Sequence, residues 1–169
     1  NTVTLTVTDV SGNTASCTAT VTVQDVTPPA AICQNITVQL DATGNASVTV
    51  AQINNGSYDA CGIDTMTVAP STFTCANVGA NMVRLTVTDV NGNASTCDAL
   101  VTVEDALPPT AICHDINVSL DPTGFASITP GMIDNGSTDN CGIATMTVTP
   151  NVFTCANAGA NVVTLTVTD

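Results

Sequence analysis

The sequence predicts an all-β fold: tandem sandwich repeats with a period of 80 positions, stapled by disulfides. Three observations lead there. "NTVTLTVTD" at 1–9 returns as "NMVRLTVTD" at 81–89 and as "NVVTLTVTD" at 161–169. Laid over one another without a gap, residues 1–80 and 81–160 are identical at 50 of 80 positions. Cys17, Cys33, Cys61 and Cys75 then fall on Cys97, Cys113, Cys141 and Cys155. Finally, apolar residues alternate with Thr in short runs closed by Gly, Asn and Asp, which is the period of half-buried strands and not of helices.

Taken in order, the complete copy runs from residue 27 to 106. "AICQNITVQL" (31–40) reads as a first strand, "DATGN" as a turn and "ASVTV" (46–50) as a second strand. The polar loop 54–62 leads into "IDTMTVA" (63–69). After Pro70, a short piece carries Phe73 and Cys75. "MVRLTVTD" (82–89) sets Val83, Leu85 and Val87 against Arg84, Thr86 and Thr88. "DVNGN" (89–93) contains Asn-Gly, a strong hairpin signal. The return strand, 94–105, places Ala99, Val101 and Val103 on one face. Six or so short strands in each repeat define an immunoglobulin-like β-sandwich. The boundary is Glu104 to Pro109, where two prolines favour a short, stiff link. Residues 1–26 read as the closing strands of a preceding repeat, and 107–169 as a following repeat without its last strand. The chain is thus expected to be a window on a longer array, its natural termini lying outside.

"PPAAIC" (28–33), "DACG" (59–62) and "VRLTVTDVNGNASTCDALVTVED" (83–105) together resemble the hyalin-repeat (HYR) family. The likeness is to the tandem copies in very large secreted surface proteins of Bacteroidota-type bacteria, and it covers essentially the whole chain. It implies an extracellular immunoglobulin-like module in adhesins and surface filaments, often exported by the type IX route. Cys75 and Cys155 depart from the usual pattern. Such modules are mostly spacers and presenters, so the likeness does not supply a ligand.

Composition narrows the function classes. Thirteen Asp and one Glu face a single Arg84 and no Lys, for a net charge of −13. Nucleic-acid binding needs clustered cations, so it is excluded, and anionic lipid surfaces are disfavoured. No apolar run approaches the roughly 20 residues of a membrane helix. Eight cysteines in a chain with three Phe, one Tyr and no Trp point to an oxidising, extracellular or cell-surface setting, where disulfides supplement a light core.

Four cysteines per repeat allow three pairings. The first strand begins at the pole facing the preceding repeat, and the 89–93 hairpin brings the last strand back to that pole. Cys33 and Cys97 are therefore expected to be neighbours. Cys97 and Cys113 lie a strand length of roughly 25 Å apart, beyond the ~7 Å between Cα atoms that a bridge allows. Elimination within each repeat then leaves Cys61–Cys75 and Cys141–Cys155, although the strand order sets Cys61 and Cys75 near opposite poles. Cys17 and Cys113 would pair outside the window.

The same pole gathers acids. Asp25, Asp59, Asp89 and Asn91 are expected to converge at one junction, and Asp105, Asp134, Asp139 and Asp169 at the next. Calcium takes six to eight oxygens of these kinds, so each cluster is a candidate Ca2+ site. The alternative is that Asp and Asn serve only turn geometry. Thr ladders on strands are ordinary and do not indicate ice binding. Six Asn-x-Ser/Thr sequons and "DTM" (64–66) are candidate glycan sites only in the appropriate host. The one His, His114, is replaced by Gln34 in the other copy, and no nucleophile–base set occurs twice; the chain reads as no enzyme, with no organic cofactor. The expected function is a structural building block of an extracellular filament, stalk or adhesin. Adjacent repeats are its main partners, and lateral self-association or a surface or glycan ligand comes second. A carbohydrate- or protein-binding module with one site per repeat is the alternative. Against it, Tyr58, its best exposed aromatic, becomes Thr138 in the second copy.

Overall fold

A computed structural model describes residues 1–169 and shows a chain that is mostly β-strand. The strands are β1 (Thr2–Thr8), β2 (Thr14–Thr20), β3 (Ile36–Gln39), β4 (Asn45–Ser47), β5 (Ile63–Ala69) and β6 (Thr72–Thr74). They continue with β7 (Gly79–Asp89), β8 (Ala94–Glu104), β9 (Phe125–Ser127), β10 (Thr145–Thr149), β11 (Val152–Thr154) and β12 (Thr164–Thr168). Single helical turns follow β4 and β9, as α1 (Val50–Ile53) and α2 (Pro130–Ile133). No helix is long and apolar enough to cross a membrane.

The centre of the molecule is the β7–β8 hairpin. Its turn works because Gly92 takes φ +89, a region that costs other residues about 1–2 kcal/mol. The Asp89 carboxylate caps the same turn, accepting from the N–H groups of Asn91 (2.9 Å) and Asn93 (2.8 Å). β5 joins β7 antiparallel and β3 joins β8 parallel, giving a sheet in the order β3-β8-β7-β5. β4 and β6 pair separately, and Phe73 of β6 shares one cluster with Val48, Val83, Leu85, Val101 and Val103. Burial of each such side chain contributes about 1.5–3 kcal/mol, which identifies this cluster as the main source of stability. α1 drives Ile53 fully into it. Thr49 starts that turn, its N–H donating to Gln52 Oε1 at 2.8 Å.

Two expected strands are shorter than the sequence suggests. Ala30 and Cys33 bridge to Tyr58 and Asn54, so the first half of 31–40 pairs with the polar loop and only β3 joins the sheet. The second strand stops at Ser47 because the Thr49 cap begins a helical turn in its place.

Corresponding residues of the other copies differ in burial. Val83, Leu85 and Val87 are fully buried, whereas Val3, Leu5 and Val7 of β1 are 49–63% exposed. Every residue of β1 and β2 is exposed, although the hairpin keeps a seven-pair register. In the C-terminal part, residues 116–119 correspond to β3 but form no strand, since no strand lies beside them as β8 lies beside β3. Leu120 is 39% exposed where Leu40 is 3%. A smaller cluster of Ile128, Ile133, Val148, Phe153 and Leu165 holds this part together.

Candidate functional site at the two junctions

Most of the cysteines and many of the acids gather at two places, near residues 26 and 106, where the sequence sets the repeat boundaries. Cys33 and Cys97 are bonded, with Cα atoms 5.9 Å apart, because parallel β3 and β8 start at the same pole. The pairing expected by elimination is corrected. Cys75 is bonded not to Cys61 but to Cys141, with Cα atoms 5.3 Å apart. Cys155 is not bonded to Cys141 and is a free, exposed thiol, as are Cys17, Cys61 and Cys113. The reason is the pole problem already visible in the sequence. Cys61 lies beside Asp25 and Asp59 at the end facing residues 1–26. Cys75 lies at the other end, against the Asn140 carbonyl. Elimination failed because it confined each bond to one repeat. In chain-entropy terms, closing the 66-residue separation of Cys75 and Cys141 is worth about 4 kcal/mol.

Two residues not singled out in the sequence, Gly44 and Asn140, shape the second junction. Gly44 (φ +73) ends the "DATG" turn, and a Cβ there would meet Cys75 Sγ at 2.7 Å and the Asn140 carbonyl oxygen at 2.9 Å. Away from this junction, Gly124 makes the same close approach to a sulfur, with Cys155 Sγ at 3.0 Å. Asn140 stitches the two sides, its Nδ2 donating to Asp105 Oδ1 (3.1 Å) and to the Asp41 carbonyl (3.3 Å). The recurrence of Asp-x-Thr-Gly at 41–44 and 121–124 was the available signal.

Most of the expected acids do converge. At the first junction, Asp25, Asp59 and Cys61 place ligand atoms within 4.8 Å of one another. Asn91 Nδ2 donates to Asp25 at 3.1 Å, while Asp89 lies behind them, 1% exposed. At the second, oxygens of Asp105, Asp139 and Asp169 meet the same limit. Asp134 does not join them and is a correction. It ends α2, accepts from the Ser137 N–H at 3.0 Å and bridges to Cys113, serving a turn as its counterpart Asn54 does.

Hydrogen bonding governs the electrostatics here. The Thr27 N–H, then the Cys61 thiol, hold the Asp25 carboxyl below its ordinary range. The same contact with Asp25 pushes the Cys61 thiol up. Burial pushes Asp89 upward, but donors from Asn93 and Asn91 outweigh it, and the net direction is down. Asp59 and Asp139 each spend one oxygen on two backbone N–H groups at 2.7–3.1 Å. The other oxygen of Asp139, and Oδ1 of Asn140, are buried without a hydrogen-bond partner. Buried oxygens of this kind ordinarily find a donor, a water or a cation.

No family model, curated protein or solved structure matches this chain.

Proposed function

We propose that the protein is a structural building block of an extracellular filament, stalk or adhesin, made of immunoglobulin-like tandem repeats that resemble HYR modules. The observation that carries this reading is the Cys75–Cys141 bond, which crosses the boundary between two successive units. A junction held by both the peptide link and a disulfide resists bending and extension, which a spacer needs and an isolated binding domain does not. The Cys33–Cys97 bond adds to this by joining the entry of the central unit to its last strand. Tension is thereby routed through β8, which is already extended, and bypasses the core. The disulfides and the light core also favour an extracellular location.

The junction acids support calcium as the stiffening ion in the same reading. Oxygens that share a Ca2+ at about 2.3–2.6 Å lie up to about 5 Å apart, and the carboxylates of Asp105, Asp139 and Asp169 fit within that limit. Asp139 Oδ1 and Asn140 Oδ1 offer unengaged lone pairs beside them. Bound there, calcium would supply charge neutralisation and a third tie between the units.

Electron microscopy of the native secreted material tests the proposal. Thin fibres or stalks are expected, and compact globules would overturn it.

A further inference from the structure

Asparagine followed by glycine occurs at 55–56, 91–92 and 135–136, and all six residues are exposed. Each of the three glycines has positive φ, between +85 and +89. The dipeptide carries its own chemistry. A glycine nitrogen, uncrowded by a side chain, can attack the Cγ of the preceding asparagine once it gives up its proton, which is one source of the thermal lability of asparagine. Exposure does not separate the three places, but hydrogen bonding does.

At 91–92 both reacting groups are held. Asn91 Nδ2 donates to Asp25 Oδ2 at 3.1 Å, and the Gly92 N–H donates to the Asp89 carbonyl at 3.2 Å. The side chain is drawn toward Asp25 and the nitrogen keeps its proton. At 55–56 the turn is built without those groups. The Asn55 N–H donates to the Ile32 carbonyl at 2.8 Å and the Ser57 N–H to Asn54 Oδ1 at 2.9 Å, while the Asn55 side chain and the Gly56 N–H are left free. The scheme recurs at 135–136, where the Asn135 N–H donates to the Ile112 carbonyl at 2.8 Å. One residue differs. Asp134 stands where Asn54 does, and its carboxylate accepts from the Ser137 N–H at 3.0 Å and draws on the Gly136 N–H. A negative charge beside the attacking nitrogen opposes the loss of its proton.

We propose that Asn55–Gly56 and Asn135–Gly136 are self-modification sites that deamidate with water as the only reagent, while the fold protects Asn91–Gly92. In the first step the Gly56 nitrogen bonds to Asn55 Cγ and the Cγ–Nδ2 bond breaks. The proton from Gly56 leaves with Nδ2 as ammonia, and a cyclic imide remains. Water then opens the imide. Opening at the side-chain carbonyl gives aspartate, and opening at the backbone carbonyl gives isoaspartate, whose main chain is longer by a methylene. Asn135 and Gly136 react in the same way.

The added methylene falls between two ties to one residue. The Asn55 N–H holds the Ile32 carbonyl, and Ser57 Oγ accepts from the Ile32 N–H at 2.9 Å. Lengthening the backbone between them loosens the chain just ahead of the Cys33–Cys97 bond. Each event also adds a negative charge to a chain already at −13.

The test incubates the full folded chain, disulfides intact, at mildly alkaline pH in heavy-oxygen water and maps its peptides by mass spectrometry over time. Asn55 should react first, Asn135 second and Asn91 last, each product carrying one heavy oxygen. Two hydrogen bonds must break at 91–92, each worth about fivefold in an equilibrium, so Asn91 should be at least about tenfold slower than Asn55. Asp134→Asn reproduces the surroundings of Asn55 and should raise the Asn135 rate to that of Asn55. In urea, with the disulfides reduced, the three rates should converge. In the aged chain the Ile32 amide should exchange its hydrogen faster. An unmodified Asn55, an Asn91 as fast as Asn55 in the folded chain, an Asn135 rate unmoved by Asp134→Asn, or an order that persists on unfolding would each overturn the inference.

Discussion

Leu5, Leu85 and Leu165 occupy the same place in three copies of "LTVTD", which makes them a controlled test of where the stability resides. Replacing each in turn with Ala changes intrinsic strand propensity equally, so that contribution cancels. What differs is burial. Leu85 is fully buried in the ten-residue cluster, Leu165 is 8% exposed in the five-residue cluster, and Leu5 is 63% exposed. Buried Leu→Ala changes cost about 2–5 kcal/mol, and the closely packed surroundings of Leu85 place it at roughly 3–4 kcal/mol. Leu165, with fewer neighbours to leave a cavity among, is expected to cost about 2 kcal/mol. Leu5→Ala should fall within about 0.5 kcal/mol of zero, as exposed substitutions do. The assay is urea unfolding followed by far-ultraviolet circular dichroism, with both disulfides intact and the four free thiols alkylated. Leu85→Ala should shift the transition of the central unit, and Leu165→Ala that of the C-terminal unit. A Leu5→Ala cost as large as half that of Leu85→Ala would refute the account of which copy is packed.

Gly44→Ala and Gly56→Ala separate two costs. Both positions have positive φ, but only at Gly44 would a Cβ meet neighbours closer than 3 Å. Gly56→Ala should cost about 1–2 kcal/mol and Gly44→Ala at least ~1 kcal/mol more in thermal melts, and equal costs would remove the close approach from the account. Calcium chelation is expected to lower the melting temperature and to broaden the conformational spread seen by small-angle scattering. Absence of both effects would leave the junction acids as turn formers. Asp41 and Asp121, each held below the ordinary value of 3.8 by the hydroxyl of the Thr two residues on, make stability acid-sensitive. Their contribution is complete above that value and is lost as pH falls through the lowered folded values. Thr43→Val combined with Thr123→Val should flatten that acid limb, and an unchanged limb would contradict the role given to those turns.

The parts of the fold that can be read from sequence are those set by local chemistry. The alternation of Val83, Leu85 and Val87 and the Asn-Gly turn at 91–92 define the β7–β8 hairpin, and the return of that hairpin to its starting pole brings Cys33 to Cys97. The Cys75–Cys141 bond is harder to read because it depends on how one unit stacks on the next, which no periodicity within a unit encodes. The sequence sets Asp134 with the junction acids because it shares with Asp139 the polar loop expected at the hairpin pole. Its pairing with Cys113 holds it elsewhere, and the neutral Asn54 in the other copy was the hint. Burial was the least legible property. Leu5 and Leu85 share a sequence context, and only the neighbouring strands tell them apart.

A covalent tie between successive units is the centre of this account, and mapping the disulfides of the folded, non-reduced chain tests it most directly. Digestion after blocking free thiols, followed by mass spectrometry, should yield peptides joining Cys33 to Cys97 and Cys75 to Cys141, with Cys61 and Cys155 blocked. Peptides joining Cys61 to Cys75 and Cys141 to Cys155 would contradict it, leaving each unit closed on itself and the junction held by the peptide link alone.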